Sequence, residues 1–102
     1  MLTVTLDRYV VETLMRDLIS HDKKPSAFVV YLWLWSRTQS LKRPSVHQSH
    51  QQLADATGLS KSAVQSAVGV LLRRRLVTAR RRSRTATPEY AVHRPWADRG
   101  PK

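Results

Sequence analysis

The sequence predicts a small domain that is mainly α-helical and carries one β-hairpin. Three observations support this fold class. Apolar residues recur at helical spacing in several segments, Gly58 separates two segments that each begin with a capping serine, and two short β-prone segments follow residue 75. A chain of 102 residues has room for one modest core. We therefore expect a single domain over residues 1–102, without a separate lobe for a substrate.

The first forty residues predict a short strand at residues 3–6 and then two helices. Asp7 is a candidate cap for the first helix, and the apolar positions of this helix are Val10, Val11, Leu14, Met15 and Leu18. Pro25 should begin the second helix, because a first helical turn tolerates the missing amide hydrogen, and the helix should extend to about Gln39. A short edge strand is expected at residues 45–47.

Residues 49–74 predict two helices joined by a tight turn. Ser49 and Gln52 match a capping box, in which each side chain satisfies a free amide hydrogen of the other residue. Gly58 can take the left-handed conformation that ends a helix, and Ser60 can cap the next one. The segment therefore has the pattern of a helix-turn-helix motif.

The second helix of this motif has two different faces. One face is an apolar stripe, predicted to pack on Leu53, Ala54 and Leu59, that consists of Val64, Ala67, Val68, Leu71 and Leu72. The opposite face is polar and small, and it consists of Lys61, Ser62, Gln65, Ser66 and Gly69. Such side chains can donate to phosphates or read base edges, and the glycine permits close approach.

The helical pattern ends after Leu72, and two predicted strands follow at residues 76–79 and 90–93. The loop between them and its flanks carry Arg80, Arg81, Arg82 and Arg84, whereas no acidic residue occurs between Asp55 and Glu89. Like charges without carboxylates among them destabilise a free protein unless a partner neutralises them. A helix-turn-helix followed by a basic hairpin predicts a winged helix-turn-helix over residues 45–94.

The overall charge points to an anionic partner. Eighteen lysines and arginines against seven acidic residues give a formal net charge of +11. Double-stranded DNA is the favoured partner, although an anionic membrane surface or an acidic protein could also balance this positive charge.

The longest apolar run, residues 27–35, is about half of the roughly 20 residues that a membrane span needs, so no membrane partner is expected. Without a secretory signal pattern at residue 1, we expect a cytoplasmic location at the nucleoid.

The stretch QLADATGLSKSAVQ, residues 52–65, resembles the helix-turn-helix of bacterial winged-helix transcription regulators, especially the GntR and MarR types. The resemblance continues through RRRLV, residues 73–77, and covers about half of the chain. It implies that the hairpin reaches an adjacent groove or the backbone. It also implies that five side chains enter the major groove or touch its flanking phosphates: Ser60, Lys61, Ser62, Gln65 and Ser66. Arg75 departs from the family, which usually has glycine there. Either Arg75 takes an uncommon backbone conformation, or the turn is built differently.

The apolar segment from Phe28 to Trp35 predicts a contact beyond the small core. This segment is apolar nearly all round the helix, which is more than one side of a core can bury. We expect a homodimer seam with four aromatic anchors, Phe28, Tyr31, Trp33 and Trp35. The alternative is that the first helix and the hairpin cover the whole segment.

No catalytic pattern is recognisable. The chain has no cysteine, no Gly-x-Ser-x-Gly elbow and no suitably placed pair of carboxylates. His47 and His50 have a spacing found in metal sites, but a third ligand is hard to name, so a polar edge is the favoured interpretation. We expect no enzyme activity, no cofactor, no metal and no identifiable small-molecule effector.

These observations predict sequence-dependent binding of double-stranded DNA. Arginines, lysines and Ser49 would hold the duplex, and the second helix of the motif would choose the site. Transcriptional regulation by occupancy follows, with repression favoured over activation. The alternatives are a winged-helix module for protein interaction or for plasmid or phage replication, and an RNA-binding module.

Overall fold

The structure, a computed structural model, describes residues 2–97. Residues 8–21 form one continuous helix, called here the N-terminal helix, and three α-helices follow: α1 (Pro25–Arg37), α2 (His50–Thr57) and α3 (Lys61–Arg73). The strands are β1 (Val46–His47), β2 (Val77–Arg80) and β3 (Glu89–Val92). The predicted helix-rich fold with a β-hairpin is therefore confirmed.

The three strands form one antiparallel sheet in the order β1-β3-β2. Val46 of β1 pairs with Tyr90 of β3, and Val77 of β2 pairs with Val92 of β3. The two hairpin strands lie one residue from their predicted positions, in opposite directions, and β1 falls within the predicted edge strand. β3 is the central strand, and its side chains alternate between half-buried and buried, with Tyr90 and Val92 facing the core.

The N-terminal helix has an unusually wide winding. Two π-helical turns, Val10–Leu14 and Asp17–His21, lie within it. Val10, Leu14 and Leu18 follow one another at four-residue intervals and are buried along one line of this helix. Val11, predicted to be apolar core, is 45% exposed because it lies beside this line.

Two predictions for the N-terminal segment are wrong. Residues 3–6 pair with no strand, and instead the backbone oxygen of Thr5 accepts a hydrogen bond of 2.7 Å from the Trp35 indole. Asp7 does not cap the helix with its side chain, because its carboxylate accepts from Arg94 at 3.1 Å and from the Trp96 indole at 3.0 Å. These long-range partners cannot be recognised from local sequence.

Three of the four aromatic residues predicted to anchor a dimer seam lie inside the chain's own core, which corrects the prediction at these positions. Tyr31 is 0%, Trp35 2% and Phe28 8% exposed. Trp35 lies 6.4 Å, centroid to centroid, from Trp96, which stacks in turn on Tyr9. The N-terminal helix and the segment after β3 thus cover α1. These three side chains leave no surface for a second copy, and a homodimer through other surfaces stays a prediction.

Trp33 is the half-buried member of the predicted seam. Its indole donates to the Gln48 side chain at 3.2 Å, and the Arg37 guanidinium lies 4.4 Å from its ring centroid. These contacts connect α1 to the segment before α2 and stack a cation on the exposed ring face. Trp33 therefore also makes its polar and cation–π contacts within the same chain.

The apolar stripe of α3 is confirmed except at its end. Val64, Ala67, Val68 and Leu71 are buried, but Leu72 is 41% exposed. Val70 is buried instead, because it faces the end of the N-terminal helix and lines a recess there with His21 and Asp22.

Arg75 has a left-handed backbone, with φ of 58°. The Leu76 amide donates to the Leu71 carbonyl at 3.0 Å across this residue, which is the bond of a Schellman helix end. Of the two interpretations left open by the sequence, the uncommon conformation is the correct one. The chain therefore turns from α3 into β2 at a position where glycine is the least strained residue.

We expect Arg75→Gly to raise the free energy of unfolding by up to about 1 kcal/mol, because glycine adopts this φ without strain. Arg73→Gly, at the last residue of α3, is the matched control and should lose up to about 1 kcal/mol. Urea unfolding followed by circular dichroism measures both. A destabilised Arg75→Gly variant would show that the Arg75 side chain, not its backbone, stabilises the turn.

A second link joins the end of α3 to the end of the N-terminal helix. Arg74 donates to both carboxylate oxygens of Asp22, at 2.7 and 3.3 Å. Hydrogen bonds from Arg74 and then from His21 hold the pKa of the Asp22 carboxyl below its usual range. This ion pair is partly buried, unlike the exposed pair between Arg8 and Glu12.

We expect Asp22→Asn to lower the free energy of unfolding by about 1–2 kcal/mol at pH 7, because it leaves Arg74 without its carboxylate. The pKa of Asp22 is lower in the folded state, so the stabilisation exists above pH about 4 and is lost as the pH falls through the folded-state pKa. Glu12→Gln in the exposed pair should change stability by less than about 0.5 kcal/mol. Equal effects of the two substitutions, or an Asp22→Asn effect that does not decrease as the pH falls, would contradict this account.

Candidate nucleic-acid interface

The turn between α2 and α3 is built by local hydrogen bonds. The Ser49 hydroxyl accepts from the Gln52 amide at 3.0 Å, and the Gln52 side chain accepts from the Ser49 amide at 2.8 Å. Gly58 ends α2 with φ of 81°, and the Ser60 hydroxyl accepts from the Ala63 amide at 3.0 Å. The predicted helix, tight turn and helix are therefore confirmed, and they fix the direction in which α3 leaves the turn.

α3 exposes the side chains that the sequence assigned to its outer face. Lys61, Ser62, Gln65 and Ser66 are all exposed, and we call them the polar face. Within residues 2–97, none of these four side chains hydrogen-bonds to another residue of the chain, so their donors and acceptors are available to a ligand. A Cβ atom at the next position, Gly69, would lie 3.6 Å from the Arg73 guanidinium, an ordinary contact. Packing therefore does not require a glycine at position 69. Because glycine has no side chain, nothing protrudes from the helix surface next to the polar face.

The loop between β2 and β3, residues 81–88, forms a basic projection beside α3. Arg80, Arg81, Arg82 and Arg84 are exposed, and the Arg81 guanidinium donates to the Arg84 carbonyl at 3.2 Å. Ion pairs in the described part of the chain involve other residues, so none of these four arginines is neutralised by a carboxylate. The loop arginines therefore keep their full charge towards solvent.

Glu89, at the base of this loop, is the nearest acidic residue along the chain. Its carboxylate accepts a short hydrogen bond from the Ser45 hydroxyl, which is the main cause that lowers the pKa of this group. The positive charges of Arg80 and Arg82 lower this pKa further. Glu89 thus stays ionised at neutral pH, and its main partner is a β-sheet neighbour rather than a loop arginine.

The loop folds back towards the first residues of α2 and α3. A cleft of about 270 Å³ lies between them, and we call it the basic cleft. It is lined by Ser49, His50, Gln51, Lys61, Arg81, Thr85, Ala86, Thr87 and Pro88. Three elements that are distant in sequence therefore bring cations and hydroxyl groups to one surface recess.

A second cleft of about 470 Å³ continues on the other side of Arg81. It is lined by His47, Arg80, Arg81, Arg82, Ala86, Thr87 and Glu89. Arg81 lines both clefts, so the basic surface runs from the polar face of α3 across the loop to the sheet edge.

Nine of the ten sequence-predicted binding residues fall into three adjoining groups. Ser49, Lys61 and Arg81 meet at the basic cleft, and Arg80 and Arg82 line the second cleft. Ser60 caps α3 at the start of the polar face, which contains Ser62, Gln65 and Ser66. Arg84 lies in the loop and does not line either cleft.

His50 is the residue of this surface that sequence reasoning missed. It was interpreted as a polar edge, but it is half-buried in the basic cleft. Burial, and then the positive charges of Arg81 and Lys61, hold the pKa of its imidazole below the usual value. In the sequence, the only indication of this role is that His50 directly follows the capping residue Ser49. Its contact with the hairpin loop depends on tertiary folding and could not be predicted.

Residues 2–97 offer neither a metal site nor a membrane-spanning helix. In that range, no three histidine, aspartate or glutamate side chains come together in a way that could hold a metal ion. None of the helices there combines the length and the apolar character that a bilayer crossing requires. Comparisons with protein-family models, with curated proteins and with solved structures gave no match.

Proposed function

We propose that this chain is a winged helix-turn-helix protein that binds double-stranded DNA in a sequence-dependent way and regulates transcription by occupancy. One observation carries the proposal: an exposed helix face of small polar side chains lies beside a loop of arginines that no carboxylate of the described chain neutralises. The first feature suits base reading, and the second suits phosphate binding.

The dimensions of α3 suit a major groove. Thirteen helical residues extend over about 20 Å, and a B-DNA major groove about 12 Å wide admits a helix. Gln65 lies in the middle of the polar face, and a glutamine amide can make paired hydrogen bonds to adenine. Serine and lysine donors flank it and reach either bases or phosphates.

The charge distribution supports contact with the phosphate backbone. Residues 56–88 contain eight lysines and arginines and no acidic residue. One of the eight, Arg74, is engaged by Asp22, and Arg73 and Arg75 are exposed at the end of α3. The other five are exposed and belong to the polar face or to the hairpin: Lys61, Arg80, Arg81, Arg82 and Arg84. Binding would release counterions from DNA, so salt should weaken it strongly.

We expect affinity for a 20-base-pair duplex to fall about a hundred- to a thousandfold between 50 and 200 mM salt, because contact with four to six phosphates gives a log-log slope of about −4 to −5. Arg82→Ala/Arg84→Ala should reduce this slope by about 2. The matched control is Arg8→Ala/Arg16→Ala, which removes the same charge from the N-terminal helix. Fluorescence anisotropy measures all three. A flat slope in the wild type, or equal slopes in the two double variants, would favour the protein-interaction alternative.

We further expect Gln65→Ala to weaken a preferred site, obtained by selection from random duplexes, by about 1–3 kcal/mol and to leave random DNA nearly unaffected. Arg82→Ala should weaken both duplexes alike, since phosphates carry no sequence information. Alanine favours helix, so Gln65→Ala should remain folded. If the two variants lose affinity in the same pattern, α3 does not read the sequence.

A further inference from the structure

His50 is the titratable group at the centre of the basic cleft. It is the first residue of α2, it is half-buried, and it lines the cleft together with Lys61 from α3 and Arg81 from the hairpin loop. Two permanent cations therefore face an imidazole that changes its charge near neutral pH.

Among the described residues, 2–97, no carboxylate lines this cleft. On the same helix, Asp55 accepts from the Gln51 side chain at 2.9 Å, and on β3 the Glu89 carboxylate is bonded to Ser45. His47 of β1 lines the second cleft instead. The charges that act on His50 are those of Arg81 and Lys61, and burial together with these charges opposes protonation of the free protein.

We propose that the basic cleft binds one phosphate of the DNA backbone and that His50 takes up a proton as the phosphate enters. This inference rests on the proposed function. It adds that the protonation of the His50 imidazole makes DNA binding depend on pH. A phosphodiester anion between Lys61 and Arg81 neutralises the repulsion that now opposes an imidazolium. Ser49, Thr85 and Thr87 add hydroxyl oxygens to the lining, although the Ser49 hydroxyl already caps α2.

The direction of the pH effect follows from the proton balance. The complex holds one proton more than the free protein over the interval between the two pKa values of His50. Affinity is therefore greatest below the free-state pKa and is lost as the pH rises through the pKa of the complex. Each unit by which the phosphate raises the pKa gives a tenfold change in affinity. Since all phosphodiesters are alike, preferred and random duplexes should show the same effect.

The test measures the dissociation constant of a random 20-base-pair duplex from pH 5.5 to 8.0 at constant ionic strength. For the wild type we expect about three- to tenfold tighter binding at the acid end, which corresponds to a pKa rise of about 0.5 to 1 unit. His50→Gln should abolish the pH dependence attributable to this site. The control variant is His21→Gln, at the other end of α3, which should keep the wild-type pH dependence. His47→Gln, in the second cleft, tests the other histidine of the basic surface.

Histidine ring resonances in the wild type give a reading that requires no variant. The proton shift of the His50 Cε1–H group should titrate with a lowered pKa in the free protein and a higher pKa in the complex. An unchanged pKa, or a pH dependence that survives His50→Gln, overturns the inference while the DNA-binding proposal stands. A pH dependence lost only in His47→Gln also overturns it. No duplex binding at any pH overturns both proposals.

Discussion

The burial of α1 is the constraint on which the rest of the structure depends. Tyr31 has no exposed surface, and its hydroxyl donates to the His93 backbone carbonyl at 2.8 Å, which joins the middle of α1 to the chain just after β3. A buried hydroxyl without a partner is costly, so this bond holds the sheet against the helix. α3 packs on α1 through its own apolar stripe. Because that stripe faces inward, the polar face on the other side of the same helix must face solvent.

The second feature is the separation of charge between the two sides of the chain. Asp7, Glu12 and Asp22 belong to the N-terminal helix or its flanks, and each accepts from an arginine. The hairpin loop and the polar face contain no acidic residue. Mutual repulsion among the loop arginines opposes folding, yet the local hydrogen bonds of the loop and the pairing of β2 with β3 hold them together. An anionic ligand would remove this repulsion, and this supports the proposal of a polyanionic partner.

The parts of the fold and of the candidate site that could be predicted from the sequence are those that depend on interactions between residues close together in the chain. The capping pair Ser49 and Gln52, the left-handed Gly58 and the serine before α3 act over three or four residues, so their spacing was sufficient. The predicted bounds of β2 and β3 each differ by one residue from the bounds in the structure, because the ends of a strand depend on its hydrogen-bonded pairing with its neighbour. The burial of the α1 aromatic side chains could not be predicted from the sequence, because it depends on the stacking of Trp96, 61 positions later in the chain, beside Trp35. The role of Asp7 and the setting of His50 depend likewise on residues far away in the chain.

The central claim is that one continuous surface, made of the polar face, the basic cleft and the hairpin loop, binds duplex DNA. Amide chemical-shift mapping of the ¹⁵N-labelled chain with a duplex tests it most directly. The account predicts that the largest shifts occur at residues 49–51, 60–66 and 80–88, with little change in the N-terminal helix. Shifts concentrated on residues 8–21, or absent at saturating duplex, would contradict the account.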